Sequence, residues 1–279
     1  MTRFAPSPTG RLHRGHAFSA LSAIGAARAA DGLFLLRIED IDTSRCRPEF
    51  ESDLIEDLRW LGVTSGGPII RQSERMALYQ CALTRLIEAG VAYRCFRTRR
   101  EVAQAITSAP HAAAESFHGG PLTQAEEAKL LADNAPYAWR LSLPAAGSAL
   151  QGFDDLHFIE DGAGPLGETG TISADPEPVG DIVLARRDVG VAYHLAVVCD
   201  DADQGVTHVI RGNDLFQSTH VQRLLQALLG LPTPVYRHHR LLTGPDGKRY
   251  AKRDRAETLA DIRARGINPG DLRAELGFD

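Results

Sequence analysis

The sequence predicts an α/β protein whose main sheet is parallel and covered by helices on both faces. Short apolar runs, such as residues 33–38, alternate along the chain with segments of helical periodicity, such as residues 48–61. Strands that alternate with helices favour a parallel, doubly wound sheet. The runs are continuously apolar, which is typical of strands buried on both faces.

The first third of the chain predicts a strand–helix–strand unit followed by two more helices. Pro48 suits the first turn of a helix, and Gly90 suits the end of one. In the second of these helices, Met76 and three later apolar residues are expected to face inward. The predicted elements are a strand near residues 3–5, a helix over 17–30, a strand over 33–38, helices over 48–61 and 73–89, and a strand over 93–96.

The pattern weakens after residue 97 and returns at Pro176 and Pro178, which predicts an inserted α+β subdomain. Within it we expect helices near 99–107 and 124–133 and strands over 138–143, 153–158 and 169–173. Beyond it we expect strands over 181–185, 192–199 and 206–210, a helix over 213–229 that Asn213 caps, and short helices over 256–278.

Composition is that of an ordinary globular protein. The chain has 279 residues, of which 43% are hydrophobic and 24% are charged. The net charge of −5 excludes an overall nucleic-acid footprint, although basic residues cluster locally at 94–100 and 237–255. No stretch approaches the ~20 apolar residues that cross a bilayer, and no secretory leader is visible. We therefore expect a cytoplasmic protein that does not bind membranes.

The N-terminal segment predicts a site for a polyphosphate. His13 and His16 lie three residues apart at the start of a helix, so they share one side of a turn. Gly15 lacks a Cβ, so a flat ligand could lie against the backbone there. The free N–H groups of a helix start favour phosphate, and two imidazoles can donate to phosphoryl oxygens. The alternative is a pair of helix-start residues without a ligand.

Charged side chains at predicted strand ends could bind an amino acid. Glu39 follows an apolar strand, where a carboxylate needs a partner; that partner is either a substrate ammonium or a nearby arginine. Arg3 and Arg211 could each offer a bidentate fork to a carboxylate. Tyr193, placed at a strand end, and Ser7 could add hydrogen bonds. Satisfied surface groups are the alternative for these residues.

The whole N-terminal string, residues 3–16, resembles the His-Xaa-Gly-His motif of class I aminoacyl-tRNA synthetases, in the form found in glutamyl-tRNA synthetases and their shortened relatives. The resemblance continues at residues 37–42, 181–186, 193–198 and 209–215 and is thin between 97 and 136. It implies a Rossmann-type catalytic domain over 1–96 and 176–240. Residues 97–175 would be an inserted acceptor-type subdomain, and residues 241–279 the basic catalytic loop with a short helical C-terminal region.

The resemblance also implies the roles of individual residues. The glutamate-binding positions would be Arg3, Phe4, Ala5, Pro6, Ser7, Glu39, Tyr193 and Arg211. The ATP-binding positions would be Pro6, His13, Gly15, His16 and Lys252, of which His13, His16 and Lys252 would be catalytic.

Two segments depart from the family pattern. In the basic loop, Lys252 keeps the cation that would face the phosphates, but Ala251 replaces a hydroxyl residue, a loss of about 1 kcal/mol of hydrogen bonding. In the inserted region, relatives bind zinc, whereas here Cys95 is followed by Arg97 where a second cysteine would stand. We expect no zinc and no other protein-held metal. A site of Cys95, His111 and His118 is the alternative.

The implied function is tRNA-independent, ATP-dependent activation of L-glutamate to glutamyl-adenylate, with Mg²⁺ expected alongside ATP. The shortened relatives then transfer glutamate to queuosine at the wobble position of tRNA(Asp), and the chain length matches theirs. We expect a monomer whose partners are L-glutamate, ATP and queuosine-containing tRNA(Asp). The alternatives are an enzyme that charges a tRNA 3′ end and a non-catalytic, synthetase-like binding protein.

Overall fold

The computed structural model describes residues 1–98, 100–103, 117–186, 190–243 and 257–278. Residues 100–103 are helical. The other helices are α1 (Arg14–Ala29), α2 (Pro48–Trp60), α3 (Met76–Glu88), α4 (Gln124–Ala132), α5 (Leu143–Leu150), α6 (Tyr193–Asp203), α7 (Phe216–Leu229), α8 (Leu259–Ala264) and α9 (Pro269–Glu275). The strands are β1 (Thr2–Phe4), β2 (Phe34–Ile38), β3 (Ile70–Arg71), β4 (Ala92–Cys95), β5 (Ala138–Leu141), β6 (His157–Glu160), β7 (Gly170–Ser173), β8 (Val183–Arg186), β9 (Gly190–Val191), β10 (His208–Gly212) and β11 (Val235–His239).

The main sheet is largely parallel, as the sequence predicts, and consists of two adjacent hydrogen-bonded sets of strands, β1-β2-β3 and β10-β11-β6-β7. Strands β1, β2 and β3 pair in parallel, and α1 connects the first two. Strand β10 pairs in parallel with β11, which pairs with β6, and β7 adds an antiparallel edge. The backbone N–H groups of Thr207 and His208 donate to the Met1 carbonyl at 3.0 and 3.1 Å, so β10 begins beside β1.

A second, antiparallel sheet has the strand order β4-β5-β8-β9. Strands β4 and β8 lie on either side of the predicted insertion at 97–175, while β6 and β7, which lie within it, pair with the main sheet through β11. The predicted insertion therefore supplies strands to both sheets, β5 to the antiparallel sheet and β6 and β7 to the main sheet. The division of the chain into domains stays a prediction.

The apolar core of the described residues has two large parts and a small third cluster around Cys95. One part packs helices α3, α6 and α7 around residues such as Leu86, Leu195 and Leu224. The other packs α1 and α2 against β1 and β2, and helices α8 and α9 join it through Leu259, Ile262 and Leu272. The C-terminal helices are thereby fixed to the N-terminal half, next to the start of α1.

The predicted strand over 192–199 is wrong, because these residues begin helix α6. The helix is buried on nearly all sides, from Leu195 to Asp201. A fully buried helix has a continuous apolar run that resembles a buried strand, and only length separates the two. The helix continues through three aspartates to Asp203, beyond the apolar run. As a consequence, Tyr193 lies at the first turn of a helix and not at a strand end.

Smaller differences concern element ends. Met76, expected to face inward, starts α3 and is 39% exposed, because a 3₁₀ turn precedes the helix. Asn213 does not cap α7; it begins a 3₁₀ turn, and its side chain makes no capping hydrogen bond. The strand predicted over 153–158 is shifted to β6. Most of the helix predicted near 99–107 lies outside the described residues.

Candidate active site

A cavity of about 580 Å³ opens where the carboxyl ends of β1, β2, β10 and β11 meet the start of α1. It brings together every predicted site residue within the described part of the chain. Lys252 lies outside the described residues, as does the rest of the predicted basic loop. The predicted residues that line the cavity are Arg3, Phe4, Ala5, Pro6, Ser7, His13, Gly15, His16, Glu39, Tyr193 and Arg211.

The two histidines cap helix α1, and backbone N–H groups fix the tautomer of each ring. His13 is the N-cap residue, and its Nδ1 accepts from the Gly15 N–H at 3.1 Å. The Nδ1 of His16 accepts from the His13 N–H at 3.2 Å, and the two ring centroids lie 3.8 Å apart. A neutral imidazole that accepts at Nδ1 carries its proton on Nε2. Each ring therefore carries its proton on Nε2.

Gly15 lines the cavity and also lies against the His13 ring. A Cβ at this position would lie 3.0 Å from His13 Cε1 and 3.1 Å from His13 Nδ1. Any larger residue would therefore require the His13 ring to shift. Glycine lets the imidazole fold back onto the first turn of the helix.

Asp201 of α6 is a carboxylate shared by two buried arginines. Its Oδ1 accepts from Arg3 Nε at 3.1 Å and from Arg37 Nη1 at 2.8 Å, and its Oδ2 accepts from Arg3 Nη2 at 3.4 Å. Burial acts to raise the pKa of Asp201, but Arg3 and Arg37 outweigh it and lower the pKa. The bidentate fork that the sequence assigns to a substrate is thus bound by Asp201, and Arg3 lines the cavity as part of an ion pair.

Arg37 is completely buried in β2 and connects the carboxylates beneath the cavity. It contacts Asp200, Asp201 and Glu39. Burial disfavours its charge, but the three carboxylates outweigh that effect and raise the pKa of Arg37 above its usual value. Asp200 also accepts from Arg75, Gln72 and Tyr79 at 2.7 to 2.9 Å.

Glu39 lies directly after β2 and is 8% exposed. Its Oε1 accepts from Arg37 Nη2 at 3.2 Å, so the nearby arginine that the sequence left as an alternative is present. Burial raises the pKa of Glu39, and Arg37 and Arg3 act against that rise. The side chain lines the cavity, where an additional cation would favour its ionised form.

Arg211 forms no ion pair with a carboxylate of the described residues. It lies at the end of β10, is 6% exposed and donates to three neutral side chains: His238 Nε2 at 3.1 Å, Thr219 Oγ1 at 2.8 Å and the Tyr193 hydroxyl at 3.5 Å. A buried cation without a counter-ion is costly, and a ligand carboxylate would remove that cost.

A neighbouring imidazole is held neutral beside this arginine. Burial, assisted by the positive charge of Arg211, lowers the pKa of His194 to about 4. His194 Nδ1 is buried and makes no hydrogen bond within the described residues. The cavity is therefore lined by a positive charge at Arg211 and by a carboxylate at Glu39.

A second cleft of about 220 Å³ shares Ser7, Thr9, Glu39 and Tyr193 with the cavity. Asp42 lines it, and hydrogen bonds from Ser44 and Arg45 lower the pKa of that aspartate to about 2. The cleft therefore lies beside the cavity at Glu39 and Tyr193.

Several residues that shape the site were not found from the sequence: Arg37, Asp200, Asp201, Glu160 and His238. One signal was present, since a single arginine interrupts the apolar run 33–38 and a charge there needs buried partners. The aspartates were hidden because their helix was taken for a strand that ends before them.

Among the described residues, no three His, Cys, Asp or Glu side chains are placed to hold a metal ion. Cys95 is buried against Tyr93 and Phe117. His111 lies outside the described residues, so the expectation that zinc is absent stays a prediction. In the same part of the chain, no helix is both long and apolar enough to cross a membrane.

Known proteins match this chain over nearly its whole length. A model of the family described as tRNA synthetases class I (E and Q), catalytic domain, matches residues 1–276. A protein of Rhodobacter capsulatus named Glutamyl-Q tRNA(Asp) synthetase is 48% identical, with 100% of each chain covered. A protein of Nocardia farcinica with the same name is 44% identical, with 98% of this chain and 82% of that protein covered.

Solved structures agree with these matches. A glutamate tRNA ligase from Elizabethkingia meningosepticum, in complex with its amino acid, aligns with a TM-score of 0.80 at 29% identity. A glutamate-tRNA synthetase from Elizabethkingia anophelis aligns with a TM-score of 0.81, also at 29% identity. Each alignment covers 99% of this chain but only 59% or 60% of the other.

The chain belongs to the class I tRNA synthetases of the E and Q type. The class I synthetase fold that the motifs predict is therefore confirmed. Relatives that are 38–48% identical over most of its length carry the name Glutamyl-Q tRNA(Asp) synthetase.

Replacing the shared carboxylate should destabilise the protein. Asp201→Asn leaves Arg3 and Arg37 buried with one fewer counter-ion, and we expect the free energy of unfolding to fall by about 3–5 kcal/mol. Urea unfolding followed by circular dichroism measures the change. Asp203→Asn, two residues on in α6, is the matched control: its side chain is 51% exposed, so we expect a loss below about 1 kcal/mol. Equal losses in the two variants would contradict the assigned network.

Proposed function

We propose that this chain activates L-glutamate with ATP, without needing tRNA, and transfers the glutamyl group to queuosine at the wobble position of tRNA(Asp). The observation that carries the proposal is a single cavity lined by the Glu39 carboxylate, by Arg211, which has no carboxylate partner among the described residues, and by two imidazoles at a helix start. The names of the nearly full-length relatives supply the acceptor.

The charges of the cavity match those of glutamate, which has one ammonium and two carboxylates. Glu39 is suited to the ammonium, because a cation there offsets the cost of its burial. Arg211 and the Tyr193 hydroxyl are suited to one carboxylate. Arg3 contributes positive potential, its fork being bound to Asp201. Residues 4–7 line the cavity between these groups and give it shape.

ATP is placed against the start of α1. The Nε2–H groups of His13 and His16 donate to phosphoryl oxygens, and Pro6 and Gly15 border the nucleotide. The described residues on either side of the basic loop support a role for Lys252. Leu242 lines the cavity, and Glu257 binds Arg14 of α1 at 2.6 Å. Mg²⁺ would accompany ATP by binding its phosphates.

The chemistry has two steps. An oxygen of the glutamate α-carboxylate attacks the α-phosphorus of ATP, and pyrophosphate leaves with charge that the histidines and Lys252 stabilise. A hydroxyl of queuosine then attacks the glutamyl carbonyl, and AMP leaves. We place the incoming hydroxyl in the second cleft, because that cleft meets the cavity at Glu39 and Tyr193. The reaction takes place in the cytoplasm, and the protein acts as a monomer without structural zinc.

Pyrophosphate exchange and glutamyl transfer together test this proposal. We expect ATP–pyrophosphate exchange with glutamate alone, and transfer of labelled glutamate to tRNA(Asp) that contains queuosine. The control is the same tRNA without queuosine, which should accept none. Charging of tRNA(Glu) at its 3′ end would favour the first alternative, and no exchange with any amino acid would favour a non-catalytic binding protein.

Removing the charge of Glu39 or of Arg211 should nearly abolish the activation of glutamate. Glu39→Gln loses the partner of the substrate ammonium, and Arg211→Ala loses the partner of a carboxylate. We expect kcat/KM for glutamate in the exchange reaction to fall by about 100-fold or more in each variant. Glu56→Gln, an exposed glutamate that pairs with Arg263, is the control and should keep normal exchange. Near-normal exchange in Glu39→Gln or Arg211→Ala would refute the assigned pocket.

A further inference from the structure

We infer that His238 and Glu160 are positioning residues that aim the Arg211 guanidinium at a substrate carboxylate. The inference rests on the proposed function, since it takes glutamate as the ligand of Arg211. Neither residue lines the cavity, and both are almost fully buried, with exposures of 2% and 1%.

The hydrogen bonds that run from Arg211 through His238 to Glu160 can have only one direction. Arg211 Nε has only a proton to offer, so His238 Nε2, 3.1 Å away, must accept. A neutral His238 then carries its proton on Nδ1, which donates to Glu160 Oε2 at 2.6 Å. An imidazolium would set an N–H against the arginine N–H. Burial lowers the pKa of His238 despite the opposing hydrogen bond to Glu160, which agrees with the neutral ring.

Glu160 is held in place by the backbone. Its Oε1 accepts from the N–H groups of His238 and Gly162, both at 2.8 Å. A Cβ at Gly162 would lie 2.4 Å from the His238 carbonyl oxygen, so only glycine allows this turn to pack on β11. Burial acts to raise the pKa of Glu160, but the hydrogen bonds from His238 outweigh it and lower the pKa. The carboxylate is therefore ionised and immobile.

The arrangement leaves one edge of the guanidinium for the ligand. Nη2 donates to Thr219 Oγ1 at 2.8 Å and to the Leu215 carbonyl at 3.2 Å. Among the described residues, Nη1 has by contrast only the 3.5 Å contact with Tyr193, which lines the cavity. Three of the five N–H groups are thus fixed by the protein, and the Nη1 edge is presented to the cavity.

The imidazole keeps the anion one ring away from the cation. Were Glu160 in direct contact with Arg211, the two would form a closed ion pair, and a substrate carboxylate would have to compete with it. With His238 between them, Arg211 is oriented and partly compensated by Glu160 at a distance, and it stays available for a ligand. Asp201 represents the opposite arrangement, since it binds Arg3 directly and closes its fork.

Two amide variants of His238 separate orientation from simple packing. In His238→Gln the amide oxygen lies near the position of Nε2 and can accept from Arg211. In His238→Asn the amide lies near Nδ1, so it can contact Glu160 but leaves Arg211 Nε without its acceptor. In ATP–pyrophosphate exchange we expect His238→Asn to raise KM for glutamate by about tenfold, with KM for ATP within about twofold of normal. We expect His238→Gln to recover most of the glutamate affinity.

A third variant keeps the test decisive if His238→Asn does not fold. Glu160→Gln presents an amide in place of the carboxylate and weakens the preference for Nδ1–H on His238, so KM for glutamate should again rise while KM for ATP does not. Urea unfolding verifies that each measured variant is folded. The inference would be overturned if folded His238→Asn, His238→Gln and wild type had equal KM values for glutamate. It would also be overturned if KM for glutamate and KM for ATP rose in parallel. Neither result would contradict the proposed function. Wild-type protein without any glutamate-dependent exchange would overturn the proposed function as well.

Discussion

The carboxylate of Asp201, bound at once to Arg3 and Arg37, determines which charges the cavity can offer. Two arginines buried under a ligand site would repel each other and any substrate ammonium unless an anion lay between them. Asp201 supplies that anion. Among the described residues, Glu39 therefore accepts a hydrogen bond from Arg37 with only one of its oxygens, Oε1. Helix α6 carries both Asp201 and Tyr193, so the position of this helix sets the charge balance and one wall of the cavity together.

Arg211, in contrast to Arg3, has no carboxylate partner among the described residues. It is as buried as Arg3, yet its partners in the described chain are a neutral imidazole, two hydroxyls and a carbonyl. Burial, assisted by the positive charge of Arg211, holds His194 neutral nearby. The cavity therefore offers a positive charge at Arg211 and a carboxylate at Glu39, and an amino acid with an additional carboxylate fits these charges better than a neutral one.

At the start of α1, two histidines take the place of the usual capping residues. Helix starts leave N–H groups without partners, and side chains such as serine or aspartate commonly bind them. Here His13 and His16 take that task with Nδ1, which leaves the ring proton on Nε2. In the proposed function, the two rings that stabilise the helix start also bind phosphate.

The sequence predicted the parallel sheet, most helices and eleven of the residues that line the cavity, because motifs and apolar periodicity are local signals. It missed α6, since a helix buried on all sides has no polar face to mark its period. It also missed the partners of Arg3 and Arg211. Asp201 is nearly two hundred positions from Arg3, and such pairings depend on how strands and helices pack and not on spacing in the chain.

A crystal structure with a non-hydrolysable glutamyl-adenylate analogue tests most directly whether the charged groups of the cavity bind the ligand as proposed. The account predicts the glutamyl ammonium within hydrogen-bond distance of Glu39, its side-chain carboxylate on the Nη1 edge of Arg211 and the phosphate at the Nε2 atoms of His13 and His16. An analogue bound with its carboxylate away from Arg211, or with its phosphate away from the paired imidazoles, would contradict the account.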